Sequence, residues 1–292
     1  MAPVPAPPNH LEQAAGIRIA IREALASGKL ELPVLPHVAS RVMALAQDPG
    51  ADLADLSNLI HQDQSLAGNV VRIANSAAYC AGEPIVSLRQ AVMRLGMTTL
   101  GEVATAACLQ SDALKAPGYE HLRREMLAHA FISAGFAKEL ARRRRSNVEV
   151  AFLCGLMHQI GMPVGLTAIA RLGAGLAEPL GEAETLGLAA EFQAEIAEVV
   201  TMKWKMPRVV QIVAVHHRNP ELAPENVDET KLTALAGHLA NWLLKRADMD
   251  EATVQALPVW AELNFYPDDV VAVLERGQVL AASLPAFVGG VA

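Results

Sequence analysis

From His10 onward, apolar residues recur at three- and four-residue spacing, the pattern of helices that bury one face and wet the other. Ile17, Ile21 and Leu25 align in this way before Gly28 offers a stop. The prolines of Leu32-Pro-Val-Leu-Pro36 hold that stretch extended and bring Pro36 to a first helical turn; Val38, Val42 and Leu45 follow on one face, and Asp48-Pro-Gly50 closes the helix. Asp52 is expected to cap a helix carrying Leu53, Leu56 and Ile60, and Ser65 one carrying Leu66, Val70 and Ile73. Ser87 is expected to cap a short helix with Leu88, Ala91, Val92 and Leu95, which Gly96 ends. Further helices are predicted from about Thr98 to the region of Leu109, and over 120–143, 148–158, 163–172, 188–204, 207–217, 229–247 and 268–282. Pro117-Gly118 and the stretch holding Pro220 and Pro224 separate them. No internal repeat stands out, which disfavours a solenoid.

Composition points the same way. Hydrophobic residues make up 52% of the 292-residue chain, enough to bury a sizeable core, while aromatics are only 4% and alternating Val/Ile/Thr runs are missing. The expectation is an all-α fold. Residues 1–8 hold four prolines and no apolar periodicity, so 1–9 is set apart as an unstructured leader or the remnant of a linker. Cys80, Cys108 and Cys154 are far apart and form no C-x-x-C pair, as expected of reduced cytoplasmic thiols. No signal-peptide pattern is found, and no apolar stretch is both long enough to span a bilayer and free of charges or breakers, so neither secretion nor a membrane is expected. A formal charge of −7 argues against generic attraction to nucleic acid or anionic lipid. The basic run Arg142–Arg145 reads as a helix end whose cations complement the negative pole, or as a docking patch for an acidic partner.

Four stretches, taken together, resemble the HDOD family of bacterial signalling proteins. They are "LPVLPHVASRVMALAQDP", "LSNLIHQDQSLAGNVVRIANSAAY" with its Asn75-Ser76-Ala77 turn followed by Tyr79, "IVSLRQAVMRLGMTTLGEVA", and "AFLCGLMHQIG". The resemblance spans about residues 15–245 and departs from the family pattern at Gln64, where a proline usually follows the aspartate. It implies two helical lobes, an N-terminal bundle over 10–115 and an HD-like bundle over 116–245, leaving 246–292 as a helical extension packed on the second.

The same resemblance implies where a metal centre would lie in catalytic HD and HD-GYP relatives. There, histidines and aspartates from several helices hold divalent ions, and the metal lowers the pKa of a bound water so that it attacks a phosphorus ester. On the matching positions here, His129 stands for the first histidine and His158 for the histidine of the doublet, whose aspartate is replaced by Gln159. Gln193 falls near another histidine position, Asn241 or Gly237 near the final aspartate, and the pair His216-His217 is retained. An amide oxygen is neutral and a weaker ligand than a carboxylate, so Mg²⁺ or Mn²⁺ on this set is poorly compensated. Adjacent helical residues point about 100° apart, so at most one of His216 and His217 faces the pocket. Two readings of His129 and His158 stand: hydrogen-bonded core histidines, or a surviving ligand or weak metal site open to Zn²⁺ or Ni²⁺.

Other chemistries find no support. There is no G-x-S-x-G elbow, P-loop or dinucleotide fingerprint. Arg72 with Asn75, and Arg89 with Arg94, are as consistent with solvated helix faces as with a polar groove. The resemblance to the HDOD family, with its metal positions depleted of carboxylates, implies a non-catalytic signalling module without a cofactor, acting on a sensor kinase, a response regulator or a cyclic-dinucleotide enzyme. The rival is a metal-dependent phosphohydrolase with an unconventional ligand set. The sequence sets no oligomeric state.

Overall fold

The computed structural model describes residues 10–32, 37–46, 48, 50–77, 79, 82–110, 114–176, 179–246 and 249–288, and among these there is no strand. Residues 1–9, expected as a leader, residues 33–36, expected to be extended, and Cys80 lie outside the described residues. The helices are α1 (His10–Ala26), α2 (His37–Ala46), α3 (Leu53–His61), α4 (Gln64–Ala74), α5 (Leu88–Cys108), α6 (Glu120–Arg144), α7 (Val148–Met157) and α8 (Gly161–Leu172). They continue with α9 (Glu182–Glu191), α10 (Gln193–Lys203), α11 (Arg208–His216), α12 (Val227–Leu243), α13 (Glu251–Gln255), α14 (Val259–Glu262) and α15 (Pro267–Val288).

Local chemistry sets five of these starts. The Asp52 side chain accepts from Ala54 N at 3.0 Å, Ser87 Oγ from Gln90 N at 3.2 Å, and Asn147 Oδ1 from Val150 N at 2.9 Å, each satisfying an amide that the first turn leaves open. α4 is capped differently from expectation: Asp63 Oδ1 accepts from Leu66 N at 3.0 Å, and Ser65 lies inside the first turn. The segment read as one helix over 188–204 is two, because the chain turns at the buried Phe192 (φ −97°, ψ 5°) between α9 and α10. Glu182 and Glu184 in the first turn of α9 favour the earlier start. α5 joins the two helices expected on either side of Gly96, whose φ of 71° is a conformation other residues avoid. The short α13 and α14 have no counterpart in the sequence expectation. Asp250 caps α13, and the Trp260 indole of α14 donates to Val254 O at 2.8 Å.

In the first part of the chain, α2, α3 and α4 pack on α5; in the second, α7, α12 and α15 pack on the long α6. α1 packs on α8 and α9, where Arg18 and Arg22 pair with Glu191. α15 reaches α6 closely enough that a methyl group on Gly135 would lie 2.4 Å from a Leu280 methyl, and it also touches α4. The helical run Val148–Gly175 is long and apolar enough by composition to cross a membrane, but it contains Pro163 and 94% of its most apolar window is buried inside the fold. Cys108 and Cys154 are buried free thiols, both pushed up to about 12 by burial and thus held in the unreactive protonated form. The arginines at the end of α6 are engaged: Arg142 and Arg143 on Glu139, Arg143 also on Asp269, and Arg144 on Asp228.

Candidate functional site: a pocket of three histidines

Three imidazoles from three helical segments meet beneath α12. His129 comes from the middle of α6, His158 from the C-terminal cap of α7 and His217 from that of α11. The rings of His129 and His158 are 5.5 Å apart between centroids, and those of His158 and His217 are 4.9 Å apart, edge to face. All three residues are buried.

Small residues let the helices approach this closely. A Cβ on Gly155 in α7 would lie 2.7 Å from Ser133 O of α6, and one on Gly161, at the start of α8, only 2.0 Å from Gln193 O. Gly155 also accepts a hydrogen bond from His158 Nδ1 at 2.8 Å, which fixes the ring. His217 Nδ1 donates to Ala214 O at 3.3 Å in the same way. In a neutral imidazole with its proton on Nδ1, the other nitrogen is an acceptor only. The Nε2 atoms of His158 and His217 therefore turn lone pairs into the pocket, and along with His129 Nε2 they are buried without a hydrogen-bond partner. His129 Nδ1 lies 3.4 Å from Ser133 Oγ.

Gln193 does not join the imidazoles as a ligand. Its amide nitrogen donates to His158 O at 3.0 Å and to Ala214 O at 3.1 Å, tying the end of α7 to α11. Gln193 is thus the brace that holds two of the three histidine turns. Gln159, next to His158, is half-buried, and only its backbone carbonyl is engaged, by Met162 N. His216 is half-buried and makes no ring contact with the cluster, whereas His217 does; of the doublet, His217 belongs to the pocket. Asn241 lies beside His129 and favours its protonated form. Gly237, one turn earlier in α12, faces the cluster, since a Cβ there would stand 3.3 Å from His158 Nε2 and 3.9 Å from His129 Cε1. Both positions weighed for the final aspartate face the cluster, Gly237 toward His158 and Asn241 toward His129.

The charges that bear on the imidazoles are cationic. Burial pushes His129 down to about 3 and His158 to about 4, and it drives His217 well below its ordinary value. Arg246 adds to the effect on His129, and Arg218 to that on His158 and His217. Neither arginine was singled out from the sequence, although Arg218 directly follows the His216-His217 doublet.

The divalent metal of catalytic HD proteins does not fit this donor set. Among the described residues no group of three His, Cys, Asp or Glu side chains is placed to hold an ion. A dication here would meet three neutral rings within the field of two arginines, with no carboxylate grouped with them among the described residues, leaving its charge uncompensated in a low-dielectric interior. What the pocket can do is accept hydrogen bonds from a small neutral donor such as water.

The Asn75-Ser76-Ala77 turn of the first lobe has a structural role. Asn75 Oδ1 accepts from Ile85 N at 2.7 Å while its amide donates to Ile85 O at 2.7 Å, pinning the chain beyond α4. Arg72 donates to Asn69, Gln110 and Ala286 O.

A crystal structure of an HDOD domain protein of unknown function from Geobacter sulfurreducens superposes with a TM-score of 0.68 at 23% identity, covering 95% of this chain and 99% of that one. A Shewanella amazonensis SB2B protein provisionally named a metal-dependent phosphohydrolase gives 0.71 at 21% identity over 94% and 99%. A Marinobacter aquaeolei VT8 protein provisionally named a signal transduction protein gives 0.66 at 25% identity over 94% and 66%. In sequence, the chain is 25% identical over 209 residues to an uncharacterized protein of Treponema pallidum (strain Nichols), matching 67% of this chain and spanning 39% of that protein's length. The family model described as the HDOD domain matches residues 32–220, and on that match the two-lobed helical chain belongs to the HDOD family.

Proposed function

We propose that this chain is a non-catalytic signal-transduction module of the cytoplasm that works by binding other proteins, and that its histidine pocket serves as a structural core in place of a reaction centre. One observation carries the reading: the site that would have to balance a dication offers neutral acceptors and nearby arginines, with Gly237 where a carboxylate would face His158. A metal-bound water needs its cation held firmly before its pKa falls far enough to attack an ester. The provisional signal-transduction name of the Marinobacter protein supports the regulatory side of this reading, and partners of the expected kind are a sensor kinase, a response regulator or a cyclic-dinucleotide enzyme.

The rival, a phosphohydrolase using an imidazole-rich site, draws on the three unpartnered Nε2 atoms and on the provisional name of the Shewanella protein. Elemental analysis of protein purified without chelator, together with hydrolysis of a phosphodiester in the presence of Mn²⁺ or Zn²⁺, separates the two. The expected result is substoichiometric metal and hydrolysis no faster than buffer. Stoichiometric metal together with turnover that disappears in His158→Ala would establish the rival instead.

A further inference from the structure

On the side of α6 opposite the histidines lies a cavity of about 280 Å³. Lys138 is nine residues beyond His129, which places it about 14 Å along the helix and half a turn around it. Lys138 and its neighbours on that face form the floor; the other walls come from α5 on both sides of its break at Gly96, from Phe152 of α7, from Tyr79 beyond α4 and from α15. The cavity therefore stands where the first lobe, the second lobe and the C-terminal helix meet.

Most of the charged side chains on these walls are already committed. Lys138 holds the buried Glu102 at 2.7 and 2.5 Å, while Glu139 accepts from Arg142 at 2.5 Å on one oxygen and from Arg143 at 3.2 Å on the other. Arg94 is engaged as well, donating to Glu83 O. Arg276 is the exception. It is half-buried on α15, lines the cavity, and makes no hydrogen bond or ion pair among the described residues. Its charge reaches Tyr79, whose hydroxyl also has no hydrogen-bond partner among the described residues. Burial, with Glu102 acting the same way, outweighs Arg276 there and keeps the phenol protonated.

A single uncommitted cation selects the charge of what can bind. A carboxylate carries one negative charge and offers two oxygens to the planar guanidinium fork, and a phenol O–H beside it adds a further charge-assisted donor. A phosphate monoester carries about two negative charges, one of which would find no uncommitted cation on these walls. Around the donors, Leu95, Leu280 and the rings of Tyr79 and Phe152 supply apolar wall. The volume is close to the lower bound of about 300 Å³ for small-molecule sites, room for a carboxylate carrying one ring or a short chain.

We propose that this inter-lobe cavity binds a small apolar monocarboxylic acid as its anion, with Arg276 and Tyr79 on the carboxylate and the leucine and aromatic walls against the remainder. The site is separate from the histidine pocket and does not depend on whether that pocket turns over a substrate. Because its walls come from both lobes and α15, an occupant would bear on how these parts sit together.

Calorimetric titration of the full chain with benzoate, hexanoate, acetate, benzamide and inorganic phosphate tests this. The expected result is saturable binding of benzoate or hexanoate, at least about tenfold tighter than acetate, which lacks the apolar part, and than benzamide, which lacks the charge. Arg276→Ala is expected to weaken that binding about tenfold or more, Arg276→Lys less, because it keeps the charge but loses the fork, and Tyr79→Phe by about threefold. Circular dichroism melts check that the variants fold; Arg276 has no bond to lose. No saturable binding of benzoate or hexanoate up to about 10 mM overturns the proposal. So does binding unchanged in Arg276→Ala, or acetate, benzamide or phosphate bound as tightly as the better of the two acids.

Discussion

The two faces of α6 carry opposite kinds of site. Around His129 the helix meets α7, α11 and α12 so tightly that a methyl group on Gly155 would collide with its backbone, and the imidazoles there are sealed and neutral. Around Lys138 the same helix borders an open cavity, where charges are partly paired and partly exposed: the Arg142 side chain is 54% accessible and that of Lys138 20%. Burial explains the difference. A sealed interior tolerates only neutral or fully paired groups, so loss of carboxylates from the histidine side leaves a packed, acceptor-lined pocket. A water-filled boundary between lobes can hold surplus charge at little cost.

Acid is the strongest way to break this contrast. In the unfolded chain each histidine takes a proton near pH 6.5, whereas in the fold His129 and His158 resist until about 3 and 4, and His217 is also depressed. Between those limits the unfolded state binds more protons, so stability falls as pH falls below about 6.5, by up to about 4 kcal/mol per pH unit for the three together. Above pH 7 they contribute no slope. Urea unfolding at a series of pH values is expected to show this steep acid limb, flattened in a His158→Asn, His217→Asn double variant. A flat profile from pH 7 to 5 would mean that water or charge reaches the pocket.

Next in size is the brace. Gln193→Leu removes two hydrogen bonds, taking the side-chain donor from His158 O and leaving Ala214 O with the one from His217 Nδ1, with an expected loss of about 2 kcal/mol in chemical denaturation. A loss below about 1 kcal/mol would show that the histidine turns are held by packing alone. The smallest effect belongs to the cavity side. Arg142→Ala gives up an ion pair at a mostly exposed guanidinium and is expected to cost less than about 1 kcal/mol in the same assay, decreasing with added salt. A larger cost would show that the cavity rim is structural.

Much of this fold is legible in one dimension because caps and periodicity act locally. Asp52, Ser87 and Asn147 satisfy amides two or three residues away, and Gly96 breaks α5 by its own backbone freedom. Local rules mislead where two candidates compete or where burial decides. Asp63 takes the cap expected of Ser65, and the buried Phe192 splits a periodic segment into α9 and α10. The residues of the histidine pocket were reached from the sequence only through resemblance, and their roles differ in ways a linear pattern cannot encode. Helical geometry requires that one of His216 and His217 turn away, but only the docking of α11 against α7 selects His217.

By itself, the sequence determined an all-helical chain and most of its helix boundaries, because these follow from residue type and near-neighbour spacing; the shortage of acidic groups at the HD-like positions came through the family resemblance. Tertiary structure alone decided that Gln193 braces two turns, that Gly237 faces His158, that Arg218 and Arg246 bear on the imidazoles, and that Arg94 and Arg276 line one cavity. The reason is physical: hydrogen bonds, electric fields and cavities depend on distances in space, and helices brought together by burying their apolar faces set those distances between residues far apart in the chain.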